Sequence, residues 1–168
     1  MDCYSRYMQD AALFFFTVLA STTGFFTLAV LIYAYLFFTG RRIRGTYFFV
    51  SALGLAGTVA LLKELFRVAR PDTLSIEVTG YAFPSGHAAG SAFLFFSLAL
   101  LSRGRSTPLR YTTYAVCAFL TLMISLSRVY YGAHTWLQVA AGIVLGLLWA
   151  SAWYLADRRT TTPLRRTQ

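Results

Sequence analysis

The chain has 168 residues, of which 57% are hydrophobic and only 12% charged, and its formal charge is +9. A soluble globule carries about 25% charged residues, so this composition excludes one and points to a bilayer. The length fits a single domain over residues 1–168. The basic residues sit in short stretches between apolar runs and not on one polar face, which argues against nucleic acid as a partner.

A hydrocarbon core of about 30 Å needs about 20 apolar residues in a helix. By that measure the chain is an all-α, polytopic membrane helix bundle of about five transmembrane helices, at 11–38, 47–65, 87–101, 111–126 and 136–156. The first stretch is long and reads as one tilted span, since either half would be too short to cross. It lacks a basic flank and is too long for the core of a cleavable signal peptide. The third is short unless its polar start lies inside the protein. Cys3 and Cys117 show neither metal nor disulfide spacing, so Cys117 reads as a small core residue. Tyr47 and Tyr111 open spans, and Trp149, Trp153 and Tyr154 close the last one. Tyr130, Tyr131 and Trp136 stand at the opposite border. Tyr and Trp favour membrane interfaces, so all of these are expected anchors. Gly142 and Gly146 suit close helix packing within the chain, and the oligomeric state stays open.

Five spans place Arg41, Arg42, Arg44, Arg103, Arg105, Arg110, Arg158, Arg159, Arg165 and Arg166 on one side, ten of the 15 Lys and Arg. The positive-inside rule makes that side cytoplasmic, with the N-terminus outside and the C-terminus inside. The other side keeps Arg6, Lys63, Arg67, Arg70 and Arg128. Topology does not explain why four of these five cluster in two stretches.

Three segments meet on that outer side. "KELFRVARP" ends the second span with Lys63, the lone lysine of the chain, and Arg70. Seven residues are two helical turns, so one helix carrying both puts them on one face; Pro71 then ends it. Alone, the pair reads more readily as two charges snorkelling to the interface. "GYAFPSGHAAG" turns through Pro84, Ser85 and Gly86 into the third span. A helix start offers unpaired N–H groups and a positive dipole end, an anion cradle. Gly86 lets the backbone come close, Ser85 caps the helix and offers a hydroxyl, and His87 sits in the first turn. "SRVYYGAHTWLQ" adds Arg128, whose planar fork suits phosphate, and stacks His134 and Gln138 four residues apart. Ionisable groups at membrane depth are costly and mark function. One Lys, two Arg, a helix start and both histidines suit a phosphate dianion. The cations hold its oxygens, and the histidines divide the parts of nucleophile and general acid.

At these residues the chain resembles the type 2 phosphatidic acid phosphatase (PAP2) superfamily. The family's three motifs stand here as Lys63 with Arg70-Pro71, then Pro84-Ser85-Gly86-His87, then Ser127-Arg128 with His134, in order and spacing. The resemblance runs from residue 63 to about residue 146. It implies a PAP2-like core in which His134 is the nucleophile that becomes phosphohistidine and His87 protonates the leaving group. Lys63, Arg70, Ser85, Gly86 and Arg128 bind phosphate. It implies no metal and no other cofactor, and a site on the extracytoplasmic side of the membrane.

Two departures qualify this. Gln138 stands where most members have Asp. Its carbonyl can accept the His134 ring N–H and fix the tautomer but supplies no negative charge. "HTWLQV" is similar to the form in dolichyl-diphosphatases, which makes the Gln a subfamily variant. The chain also shows five spans where many members have six. The expected activity is a metal-independent phosphatase acting on a lipid phosphate or diphosphate in the outer leaflet, with polyprenyl diphosphate first among the candidates. The competing readings are a lipid phosphotransferase and, because of Gln138, a phosphate-binding membrane protein with weak or no turnover.

Overall fold

The computed structural model describes residues 15–71 and 80–161; Cys3, Arg6, Arg165 and Arg166 lie outside the described residues. Five long helices follow one another: α1 Thr22–Phe38, α2 Arg42–Phe66, α3 Gly86–Leu101, α4 Thr107–Tyr130 and α5 Trp136–Thr161, with one 3₁₀ turn, Ser102–Gly104, after α3. There is no strand among the described residues. Helices α2, α4 and α5 are long and apolar enough to cross a membrane, and α1 is apolar but shorter. The protein is an all-α integral membrane helix bundle.

Helix α3 is the axis. It has 16 residues, 11 of them buried, and it packs on all four other long helices. This is why so short an apolar helix suffices: its polar start lies inside protein. Small residues bring its neighbours close. A Cβ on Gly142 of α5 would stand 2.5 Å from the Ser85 carbonyl oxygen, and one on Gly146 would strike the Ala89 carbonyl. These two glycines pack α5 directly against the α3 backbone within the chain, as small-residue helix pairs do in membranes. On the α2 side Phe93 stacks on Phe48, centroids 5.4 Å apart, and Phe48 meets Trp153 edge-on. Cys117 is buried in a second cluster with Ala20, Phe95 and Ile124.

Three local expectations are corrected. The stretch 11–38 is not one helix. Residues 15–19 are helical, the chain breaks at Ala20 and Ser21, and Ser21 caps α1 by accepting the Gly24 N–H at 3.1 Å. The small polar run Ser21-Thr22-Thr23-Gly24 is the cause: an N-cap hydroxyl competes well against a continuous helix. Helix α2 ends at Phe66, before Arg70. Arg67 takes the left-handed conformation (φ 46°), and its N–H returns to the Lys63 carbonyl. Lys63 and Arg70 therefore do not share a helical face. Trp153 is no interface anchor either. It is 1% exposed and donates its indole N–H to Ser97 Oγ at 2.9 Å. Trp136 and Tyr130, by contrast, are exposed.

The helices alternate in direction, so the bundle has two unlike ends. One holds Arg44, Arg103 and Asp157, with Arg44 Nε 2.9 Å from Asp157 Oδ2. The other holds the ends of α2 and α4 and the starts of α3 and α5.

Candidate active site

The loop after α2 turns back and is stapled by side chains. Arg70 donates from Nε to the Gly80 carbonyl at 3.0 Å and from Nη1 to the Ala133 carbonyl at 3.0 Å. Lys63 donates from Nζ to the Tyr81 carbonyl, and the Ala82 N–H donates to the Val68 carbonyl at 2.8 Å. The peptide before Pro84 is cis. After α4 the chain makes a tight turn at Gly132 (φ 66°). There the N–H groups of Ala133 and His134 both donate to the Arg128 carbonyl. Arg70 thus ties together three segments that are far apart in sequence, although it is not on the α2 helix.

These staples gather Lys63, Arg70, Gly86, His87, Arg128 and His134 on the wall of one cavity of about 450 Å³. The rest of its lining is mostly apolar and includes Phe25 and Phe26 of α1 and Leu55 and Val59 of α2. Six of the eight residues singled out in the sequence therefore meet at one place. Ser85 and Gln138 are not on that wall. Ser85 is the residue before α3, but its side chain makes no cap hydrogen bond. The capping expectation is thus corrected. Instead its N–H donates to the Gln138 carbonyl at 3.1 Å, which locks the start of α3 to the first turn of α5. Ser85 Oγ is buried without a hydrogen-bond partner among the described residues. The N–H groups of Gly86, His87 and Ala88 have no intrahelical acceptor by position.

His134 is 4% exposed. Its Nδ1 lies 2.8 Å from the Ala82 carbonyl oxygen and 3.3 Å from Gln138 Oε1. Both oxygens can only accept, so Nδ1 carries the proton and Nε2 keeps its lone pair. The shorter bond is to the backbone. Gln138 also caps its own helix. Its Oε1 accepts the Thr135 N–H at 3.0 Å, and its own N–H donates to Thr135 Oγ1 at 3.4 Å. Thr135 and Gln138 form a reciprocal capping box at the start of α5. Sequence reasoning missed it, although Thr-x-x-Gln before an apolar run is its signature. No side-chain pattern could have pointed to the Ala82 carbonyl.

The electrostatics are one-sided. Neither Lys63 nor Arg128 meets a carboxylate among the described residues. Burial, and then the charges of Arg70, Arg128 and Lys63, push the His134 pKa down to about 4, against a smaller upward pull from the Ala82 hydrogen bond. The ring is neutral at pH 7. Burial also lowers the pKa of Arg70, but a guanidinium stays charged. The cavity is a cationic pocket with a neutral imidazole whose Nε2 is not hydrogen-bonded to Ala82 or Gln138.

The PAP2 superfamily family model matches residues 44–161. Phosphatidylglycerophosphatase B of Bacillus subtilis is 31% identical over 97 residues, covering 52% of this chain and 45% of that protein. Dolichyldiphosphatase 1 of Mus musculus is 30% identical over 137 residues, covering 74% of this chain and 58% of that protein. The chain thus spans about half the length of the curated relatives it matches. A solved transmembrane PAP2 type phosphatidylglycerolphosphate phosphatase from Bacillus subtilis superposes with a TM-score of 0.82 over 94% of this chain and 80% of its own, at 23% identity. That likeness shows the fold.

Proposed function

This chain belongs to the PAP2 superfamily, and we propose that it is a metal-independent phosphatase of lipid phosphates or diphosphates, working through phosphohistidine at His134. One observation carries the proposal: a neutral imidazole with Nδ1–H held by the Ala82 carbonyl shares a cavity with three cations and a second histidine.

Lys63, Arg70 and Arg128 hold the phosphate oxygens, with the Gly86 and His87 backbone N–H groups at the start of α3. Ser85, whose hydroxyl is buried without a partner and off the cavity wall, donates to the same anion once its side chain turns toward it. His134 Nε2 attacks the terminal phosphorus, and its bond to the leaving oxygen breaks, that of the lipid alcohol in a monophosphate or the bridging oxygen of the lipid monophosphate in a diphosphate. His87, which takes up a proton as the phosphate anion offsets the cations around it, gives that proton to the leaving oxygen. Neutral His87 then takes a proton from water as the water attacks the phosphohistidine, releasing inorganic phosphate and freeing His134. The cations stabilise the charge on the equatorial oxygens in both transition states.

The apolar lining from α1 and α2 suits a lipid tail beside the phosphate. The names of the two curated relatives, one a phosphatidylglycerophosphatase and one a dolichyldiphosphatase, agree in a phosphate carried by a lipid. The "HTWLQV" stretch favours a polyprenyl diphosphate of the outer leaflet. The arginine-rich end is read as cytoplasmic, which puts the cavity on the extracytoplasmic side. Gln138 does not silence the site, because the tautomer is held by a backbone carbonyl.

The test is phosphate release by purified protein in detergent with EDTA present. The panel is undecaprenyl diphosphate, phosphatidylglycerophosphate and phosphatidic acid, with His134→Ala beside the parent. Release by the parent that His134→Ala loses supports the proposal. A parent that binds the lipids without releasing phosphate contradicts it.

A further inference from the structure

Thr17 lies outside the family match, which begins at residue 44. It sits in the helical turn 15–19 before the break at Ala20. Arg128 is 1% exposed, and Nη1 makes the one side-chain hydrogen bond it has among the described residues, to Thr17 Oγ1 at 3.4 Å. Thr17 Oγ1 is also 3.3 Å from Ser127 Oγ, and Ser127 Oγ is 2.7 Å from the Ile124 carbonyl oxygen.

The direction of every bond in this chain is fixed. A carbonyl only accepts, so Ser127 spends its single proton on Ile124. Ser127 then has only lone pairs left for Thr17, so Thr17 donates to it. The Thr17 oxygen thereby turns a lone pair to the guanidinium, which has only protons to give. Arg128, Thr17, Ser127 and the Ile124 carbonyl form a relay with one polarity from end to end. The Ser127–Ile124 bond lies within α4. Thr17 is therefore the side-chain hydrogen-bond partner that the Arg128 guanidinium has from outside its own helix among the described residues.

We propose that Thr17 is a positioning residue for Arg128: its hydroxyl sets the guanidinium so that the remaining N–H groups face the phosphate in the cavity. The inference rests on the phosphate-binding role proposed above for Arg128. It gives the segment before α1 a part in the site that the matched stretch alone lacks.

The test compares Thr17→Val, which keeps the shape and removes the hydroxyl, with Thr17→Ser, which keeps the hydroxyl. Two readouts are taken: affinity for orthovanadate as a phosphate mimic, and kcat and KM on the best lipid phosphate. Losing one hydrogen bond to a charged group predicts about fivefold weaker vanadate binding in Thr17→Val, with Thr17→Ser within about twofold of the parent. The loss in kcat/KM follows the vanadate loss, and the thermal midpoint stays put. Thr17→Val equal to the parent, or Thr17→Ser as impaired as Thr17→Val, overturns the inference. If the parent binds vanadate but turns nothing over, the phosphatase reading fails and the vanadate arm still decides Thr17. If the parent does neither, both fall.

Discussion

The two ends of the bundle both carry arginines, but they hold them in opposite ways. At the end away from the cavity Arg44 pairs with Asp157, a buried carboxylate. Arg42, Arg103, Arg110 and Arg158 lie over the rings of Phe37, Tyr154, Tyr111 and Tyr154. Arg103 also donates to the Tyr154 hydroxyl. At the cavity end Lys63, Arg70 and Arg128 are held by carbonyls and one hydroxyl. A cation paired with a carboxylate keeps its charge, but the partner offsets its field. A cation tied to neutral oxygens is oriented but still carries its field into the cavity. The first arrangement serves stability; the second is the one the proposed phosphate site requires.

The comparison breaks if exchanging the two kinds of cation gives the same effects. Lys63→Ala and Arg128→Ala should each lower kcat/KM by on the order of 100-fold, as for loss of one donor to a transition-state oxyanion, with little change in melting. Arg44→Ala should do the reverse. It leaves Asp157 buried without this partner, at a cost of about 1–2 kcal/mol, discounted because Arg44 is partly in solvent. Turnover per folded molecule should hold. Calorimetry beside phosphate release separates the two outcomes.

A smaller effect sharpens the account of His134. Gln138→Ala removes the capping box and should cost about 1 kcal/mol of stability. The Ala82 carbonyl still fixes the tautomer, so kcat should fall by less than about tenfold, since only the weaker of two acceptors is lost. The pH profile of kcat/KM is a further check. His134 in the free protein is neutral until the pH falls to about 4. Activity should therefore hold through pH 5 and be lost below, as protonation takes the Nε2 lone pair. Gln138→Glu keeps the box and adds a negative charge, which favours the imidazolium. Its acidic limb should move to higher pH.

Much of this was legible in the sequence, for a definite reason. Lys63, Arg70, His87, Arg128 and His134 announce themselves because ionisable groups inside an apolar chain need an explanation, and Gly86 stands out in the turn that leads into His87. The all-α bundle was legible because long apolar runs leave few alternatives. What the residues hid was mostly backbone. Lys63 and Arg70 meet through a chain reversal after Arg67 and not along one helix. The partner of His134 is the carbonyl of an alanine, which no side-chain pattern marks. Trp153 reads as an interface anchor until Ser97 gives its N–H a buried acceptor. The break at Ser21 and the Thr135–Gln138 box did leave signals, a polar N-cap run and a Thr-x-x-Gln spacing. Both were masked by stronger readings of the same residues, as one long span and as a catalytic pair.

The most direct test of the central claim is to quench the protein during turnover of a lipid phosphate and locate the phosphoryl group by mass spectrometry at neutral to basic pH. The account predicts an adduct on His134, through Nε2, that is absent from His134→Ala and accumulates when His87 is replaced by Ala. Turnover with no adduct on His134, or an adduct on His87 instead, would contradict it.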